Sequence, residues 1–294
     1  MVEISRTRLL AGLGVGVLAV SFASILIRLA QAEGMPSLSI AAWRLVVASA
    51  VFLPYAWATR RGEVQALTRR DMGLLALSGL FLGLHFAAWI ASLAYTSVAS
   101  SAILVSMGPV FVALGSWLFW HERPGPLLTV GILLAAAGSI AVSWADLGQG
   151  GDHLLGDLLA LAGGVMVAGY LVIGRRVRGR LSLPAYAALV YGMGMLTLLA
   201  VVLLAGEPLL GFTPSAYGWV LALALGPQVV GHSSLNWALR YLSATFVSIV
   251  ILAEPIAASA LAYLLLAERV TWLTLAGGSL VLAGIYIASR AELA

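Results

Sequence analysis

Shifted by 146 positions, this chain falls on itself. Tyr95, Ser97, Ile103, Pro109, Leu118, Glu122-Arg123, Leu127, Gly131, Leu134, Gly138 and Ser143 land on Tyr241, Ser243, Ile249, Pro255, Leu264, Glu268-Arg269, Leu273, Gly277, Leu280, Gly284 and Ser289. The register runs without a gap over roughly fifty residues, long enough to mark a duplicated structural unit. A chain built this way has to bring two related halves together. Where the halves lie in lipid, they can rock about a shared central site, which is the architecture of a transporter.

Lipid is where this chain belongs. Of its 294 residues 62% are hydrophobic and 10% charged, against roughly a quarter charged in an ordinary soluble domain. Apolar runs long enough to cross a bilayer predict an all-α polytopic membrane protein of ten spans: 9–30, 38–58, 72–94, 98–119, 127–144, 157–173, 184–204, 217–239, 245–266 and 273–289. The N-terminal Arg6 and Arg8, the apolar run and Ala30-Gln31-Ala32 mimic a cleavable leader. The run is too long for a leader's hydrophobic region, so the first helix is expected to be retained.

All 16 basic residues are arginine. With ten spans, Arg6, Arg8, Arg60, Arg61, Arg69, Arg70, Arg123, Arg175, Arg176, Arg178, Arg180, Arg240 and Arg290 fall on one side of the membrane. The other side holds Glu33, Asp146, Asp152, Asp157, Glu207 and Glu268, with Arg269 its sole arginine. This sorting is the positive-inside bias, and it places both termini in the cytoplasm. It also assigns the net charge of +4 to membrane topology, with no call for nucleic acid. Five spans per half is an odd number, so residues 1–146 and 147–294 are expected to be inverted repeats forming one transport unit. The acidic, glycine-rich loop 146–156 divides them.

The residues that recur also carry a resemblance. Leu93-Ala94-Tyr95-Thr96-Ser97, Ala102-Ile103-Leu104, Pro109, Leu118, Glu122, Gly131 and Gly138 resemble the EamA signature of the drug/metabolite transporter superfamily. A second copy runs through Leu239-Arg240-Tyr241-Leu242-Ser243, Ile249-Val250-Ile251, Glu254-Pro255, Leu264, Glu268, Gly277 and Gly284. Arg44 resembles an arginine common in the second span of that family. Within it, the chain is most similar to the YddG-type aromatic amino-acid exporters. The resemblance implies export of amino acids or other small metabolites across a bacterial inner membrane.

Polar groups inside the bilayer are costly and are paired or line a cavity. In the eighth span Gln228, His232, Asn236 and Arg240 recur every fourth residue, which predicts one polar stripe on a helix face. The stripe reads as a wet pathway or as hydrogen-bonding glue between helices. In the third span Phe81, His85 and Trp89 have the same spacing and offer aromatic surface with one titratable ring. Ordinary packing and an interfacial tryptophan belt are the plain alternatives. Tyr170 on span six adds a hydroxyl. Glu254, before Pro255, is the acid expected at mid-membrane; it can neutralise a cationic group, carry a proton, or pair with Arg44. Arg44 can attract a substrate carboxylate, or snorkel outward and pair with an acid, and is read chiefly as a structural charge; Arg28 is read as a snorkelling side chain. Pro109 and Pro255 occupy matched positions and suit hinges. Gly131/Gly138 and Gly277/Gly284 fit close helix packing, as does Gly12-Leu13-Gly14-Val15-Gly16.

Enzyme chemistry has little support. His121-Glu122-Arg123-Pro124-Gly125 lacks the second histidine of a zinc-protease motif, and there is no Walker loop and no cysteine. The resemblance implies a secondary exporter, and ten spans can enclose a complete site, so a monomer with no cofactor or metal is expected. Its partners would be the lipid bilayer and amino-acid substrates, aromatic ones included, with broad specificity and alternating access. The competing expectation is an exporter of cationic drugs or other small metabolites.

Overall fold

The computed structural model describes residues 6–108, 110–111, 125–147, 152–242, 250–251 and 253–291. Among them every regular element is helical: α1 (Arg6–Ser21), α2 (Ala23–Ala32), α3 (Ser37–Gln65), α4 (Arg69–Ser92), α5 (Val98–Val105), α6 (Pro126–Leu147), α7 (His153–Arg178), α8 (Leu183–Ala205), α9 (Pro214–Leu223), a π-helical stretch at Ala224–His232, α10 (Ser233–Ala238), α11 (Ala253–Leu266) and α12 (Trp272–Ala291). Each expected span meets one or more of these. Among the described residues five stretches are long and apolar enough to cross a membrane: Thr7–Ala32, Ser37–Gln65, Arg69–Ser92, His153–Arg178 and Leu183–Ala205. Pro109, Glu122-Arg123 and the His121 motif lie outside the described residues.

Local chemistry sets the helix ends. Thr68 and Asp71 form a reciprocal capping box at the start of α4, with the Asp71 N–H donating to Thr68 Oγ1 at 3.1 Å. Ser97 and Thr213 cap α5 and α9 by accepting from the Ser100 and Ala216 N–H groups. Gly206 ends α8 at φ +68°, a left-handed turn that glycine enters without a Cβ penalty. The outer faces are apolar rather than polar: Leu133, Ile140, Trp144, Leu204 and Leu264 are each more than 60% exposed, as suits a surface solvated by acyl chains.

The helices pair across the two halves. α6 lies along α12, α3 along α8, and α5 against α11. α4 packs on α7, and α1 packs on the 224–238 stretch. Exchanging the halves maps the first three contacts onto themselves and interchanges the last two. The recurring glycines make the α6–α12 seam. A Cβ on Gly138 would lie 2.5 Å from the Gly277 carbonyl oxygen, and one on Gly284 would lie 2.6 Å from that of Gly131. The backbones therefore touch where the sequence repeats. Gly12 and Gly16 are also packing positions, against Trp237 and Ser234, whereas nothing lies within 4 Å of a Cβ on Gly14.

Candidate functional site

The helix following α9 does not continue regularly. Pro227 has no N–H to give to the helical ladder, and the chain from Ala224 to His232 widens into a π-helical turn. Such turns occur mostly as local insertions inside α-helices. The four residues of the expected stripe meet different surroundings. Gln228 is fully buried against α3, His232 and Asn236 line a cavity, and Arg240 is exposed in the turn after α10.

That cavity, about 100 Å³, is walled by six expected spans, three from each half. Val20 and Ala23 come from the first, His85 and Trp89 from the third, and Val105, Ser106 and Gly108 from the fourth. Val167, Tyr170 and Leu171 come from the sixth, His232, Leu235 and Asn236 from the eighth, and Ile251 and Glu254 from the ninth. Glu254 is the lone carboxylate among the lining residues. Phe81 does not reach the cavity lining; its ring packs against Gly169 of α7, where an added Cβ would lie 3.1 Å away. Phe81 thus serves the α4–α7 contact.

The two faces singled out by sequence are counterparts. Phe81, His85 and Trp89 stand 147 positions before Gln228, His232 and Asn236. A shift of 146 hides this match; a shift of 147 exposes it. Each half thus sends one histidine to the cavity, one on a regular helix and one at the end of the π-helical turn. His85 Nδ1 lies 2.9 Å from the Gly163 carbonyl oxygen. A carbonyl only accepts, so Nδ1 carries the proton, and a neutral ring offers Nε2 as an acceptor. The His85 and Trp89 rings are stacked at 5.9 Å. Phe86 meets His85 at 4.9 Å and His232 edge-on at 5.4 Å.

Behind Phe86 stands Arg44, with no exposed surface. Its guanidinium carbon is 4.0 Å from the Phe86 ring centroid and 5.8 Å from that of Trp89. Its Nε donates to Gln228 Oε1 at 2.7 Å. The alternative of an Arg44–Glu254 pair is not realised: among the described residues the ion pairs are Arg28–Glu268, Arg60–Glu63 and Arg180–Asp71.

Tyr170 and Asn236 are committed to each other. The Tyr170 hydroxyl donates to Asn236 Oδ1 at 2.6 Å, and Asn236 Nδ2 donates to the Tyr191 hydroxyl at 3.3 Å. Tyr191 in turn meets Ser233 Oγ at 3.1 Å. The backbone oxygen of Asn236 accepts from Arg178 Nε at 2.9 Å, and Arg178 Nη1 donates to the Leu181 oxygen at 2.6 Å. Arg178 is therefore a buried clamp, not the loop charge its position among arginines suggested. Tyr191, Ser233 and Phe86 were likewise not marked by spacing, because their partners lie on other helices.

Toward the acidic side the halves are tied together. Arg28 does not snorkel alone. It pairs with Glu268 at 3.1 Å and donates to the Thr96 carbonyl at 3.0 Å, while the Val98 N–H donates to the second Glu268 oxygen at 2.9 Å. Thr96 Oγ1 donates to Asp157, and Trp43 Nε1 to the Leu209 carbonyl. Toward the arginine-rich side the Ser182 N–H donates to Glu63 at 2.8 Å.

Comparison with known proteins agrees with this architecture. The model of the EamA-like transporter family matches twice, at residues 9–144 and 154–290. An uncharacterized transporter of Archaeoglobus fulgidus is 25% identical over 98% of this chain and 99% of its own. YetK of Bacillus subtilis, also an uncharacterized transporter, is 24% identical over 92% of this chain and 83% of its own. The pseudopaline exporter CntI of Pseudomonas aeruginosa is 25% identical over 77% of this chain and 78% of its own. A solved crystal structure shares the fold at a TM-score of 0.66 with 21% identity, covering 97% of both chains. The chain belongs to the EamA-like transporter family.

Proposed function

We propose, taking that membership as the premise, that this membrane transporter of small molecules is an exporter of amino acids, with aromatic ones among them. The carrying observation is the cavity: both halves build it from counterpart segments, and its wall combines Trp89, His85, His232 and Tyr170 with the single carboxylate Glu254. An amino acid presents a side chain, an ammonium and a carboxylate. The aromatic wall suits the side chain, and Glu254 suits the ammonium. Few charged groups line the wall, which fits broad specificity of the YddG type. The name of CntI as an exporter supports the direction of transport.

The working unit is ten spans in two inverted repeats, 1–146 and 147–294, in a bacterial inner membrane with both termini cytoplasmic. It acts as a monomer without cofactor. The arginine sorting and the exchange of helix contacts between halves support this arrangement. Alternating access is a rocking of the halves that opens the Arg28–Glu268 side when the opposite side closes. Pro255 lies in the first turn of α11, directly after the cavity-lining Glu254. Pro255 and its repeat partner Pro109 are the hinges of this motion.

Uptake by liposomes carrying the purified protein tests the proposal. Several radiolabelled amino acids should enter, and mutual competition should be evident. No uptake of any amino acid, with saturable movement of a cationic dye, would move the assignment to cation export. That second reading draws on Glu254 standing among aromatic rings in the same wall. Glu254→Gln separates the two: cation movement should be abolished, while amino-acid movement should persist at a reduced rate.

A further inference from the structure

We infer that Arg44, with Gln228 and Trp89, is the subsite that takes the carboxylate of the transported molecule. This deepens the amino-acid proposal for the same cavity and rests on it.

The argument begins with unmet hydrogen bonds. Arg44 Nη1 and Nη2 and Trp89 Nε1 are buried without a partner, while Gln228 stands beside the Tyr191 hydroxyl. These are three idle donor groups on two side chains that flank Phe86. The amide orientation of Gln228 is fixed, because Arg44 Nε can only donate and so selects Oε1. Gln228 therefore cannot turn an acceptor toward the guanidinium's remaining nitrogens without losing the bond it already makes. A buried cation with two idle donor groups is a costly arrangement unless an anion completes it. No carboxylate is within ion-pair distance of Arg44 among the described residues.

Placement makes the missing anion a ligand. Trp89 lines the cavity and lies 5.8 Å from the guanidinium carbon. Phe86 is in ring contact with Arg44 and with both cavity histidines, so the guanidinium stands one side chain away from the cavity. Phe86 covers the face of the guanidinium and leaves its edge for in-plane bonds. A planar carboxylate is the group whose two oxygens match that edge in a bidentate pair. Glu254, on the cavity wall, answers the opposite charge of the same molecule. The subsite also spans the halves, since Arg44 and Trp89 belong to the first and Gln228 to the second. A bound carboxylate would thus be gripped by both moving parts.

The test uses two fragments of phenylalanine with the purified full-length protein. 3-Phenylpropanoate keeps the carboxylate and lacks the amine; phenethylamine does the reverse. Binding of each is followed by intrinsic tryptophan fluorescence, alongside thermal melts and amino-acid uptake in liposomes. Wild type should bind 3-phenylpropanoate, and Arg44→Gln should weaken that binding at least about tenfold while sparing phenethylamine. Gln228→Glu guards against a folding artefact. It gives Arg44 an internal carboxylate, so the protein should melt normally yet lose 3-phenylpropanoate binding. If wild type fails to bind 3-phenylpropanoate, or either variant binds it as wild type does, the subsite is overturned. Uptake keeps the two proposals apart. Amino-acid uptake with carboxylate binding indifferent to Arg44 sinks the subsite alone. Arg44-dependent binding of 3-phenylpropanoate without amino-acid uptake sinks the amino-acid proposal and leaves an anion subsite.

Discussion

Two regions of this duplicated molecule have treated their symmetry in opposite ways. Along the α6–α12 seam both halves keep glycine at matched positions, and the backbones meet at carbonyl-to-Cβ distances near the limit of contact. Around the cavity the matched positions have diverged: Phe81 faces Gln228 in the alignment, and Trp89 faces Asn236, with only the histidines retained. A seam made of backbone can hold one residue type on both sides. A site for an asymmetric molecule cannot, because a carboxylate, an ammonium and a ring need different neighbours.

The seam is the place to break first. Gly284→Leu would drive a side chain into the Ala135 and Gly131 backbone, 2.5 and 2.6 Å from the new Cβ. Overpacking of that kind costs about 3 kcal/mol or more, and the expected result is a large fall in melting temperature and in yield. A variant that melts as wild type would show the seam to be loose. In the cavity, Asn236→Leu leaves the Tyr170 and Tyr191 hydroxyls without the amide they share. A loss of about 1–2 kcal/mol is expected, because Tyr170 loses its amide acceptor whereas Tyr191 keeps Ser233, read by thermal melting with seam contacts intact. Replacing Glu268 by Gln removes the ion pair to Arg28, whose side chain is 28% exposed. About 1 kcal/mol or less is at stake, so stability should hardly move. Accessibility of the acidic side to a thiol reagent, read on a cysteine introduced at Tyr95, should rise instead. The smallest effect belongs to Gly14→Ala. Nothing lies within 4 Å of its Cβ, and the gain in helix propensity is at most about 1 kcal/mol. Gly16→Ala, 3.1 Å from Ser234, should be the worse of the pair in the same melt.

The seam was legible in the sequence because its information is one-dimensional. Glycines seven apart share a helix face whatever surrounds them, and their recurrence after 146 residues named both sides of the contact. Apolar runs located the helices for a similar reason, since the requirement on each is length and hydropathy. The cavity was legible only in part. His85, Trp89, Tyr170, His232, Asn236 and Glu254 could be picked out as polar or aromatic groups in apolar spans, and the structure brings them to one wall. Gln228 and Phe81 stand outside the cavity lining. Gln228 depends on how Pro227 opens the helix and on Arg44, 184 residues away. Phe81 depends on a glycine in α7. The one-residue slip between the seam register and the cavity register was readable from the sequence itself, and following it would have paired the two histidines.

The seam has a use beyond stability. Neither α6 nor α12 contributes to the cavity wall, and two helices locked backbone to backbone make a fixed ruler against which the rest can be measured. The chain has no native cysteine, so spin or fluorescent labels can be placed one at a time without background. A label at Leu133 or Ile140, both on the outer face of α6, keeps its distance to α12 through the transport cycle. Its distances to α4 or α11 then report the rocking motion directly, in ångströms.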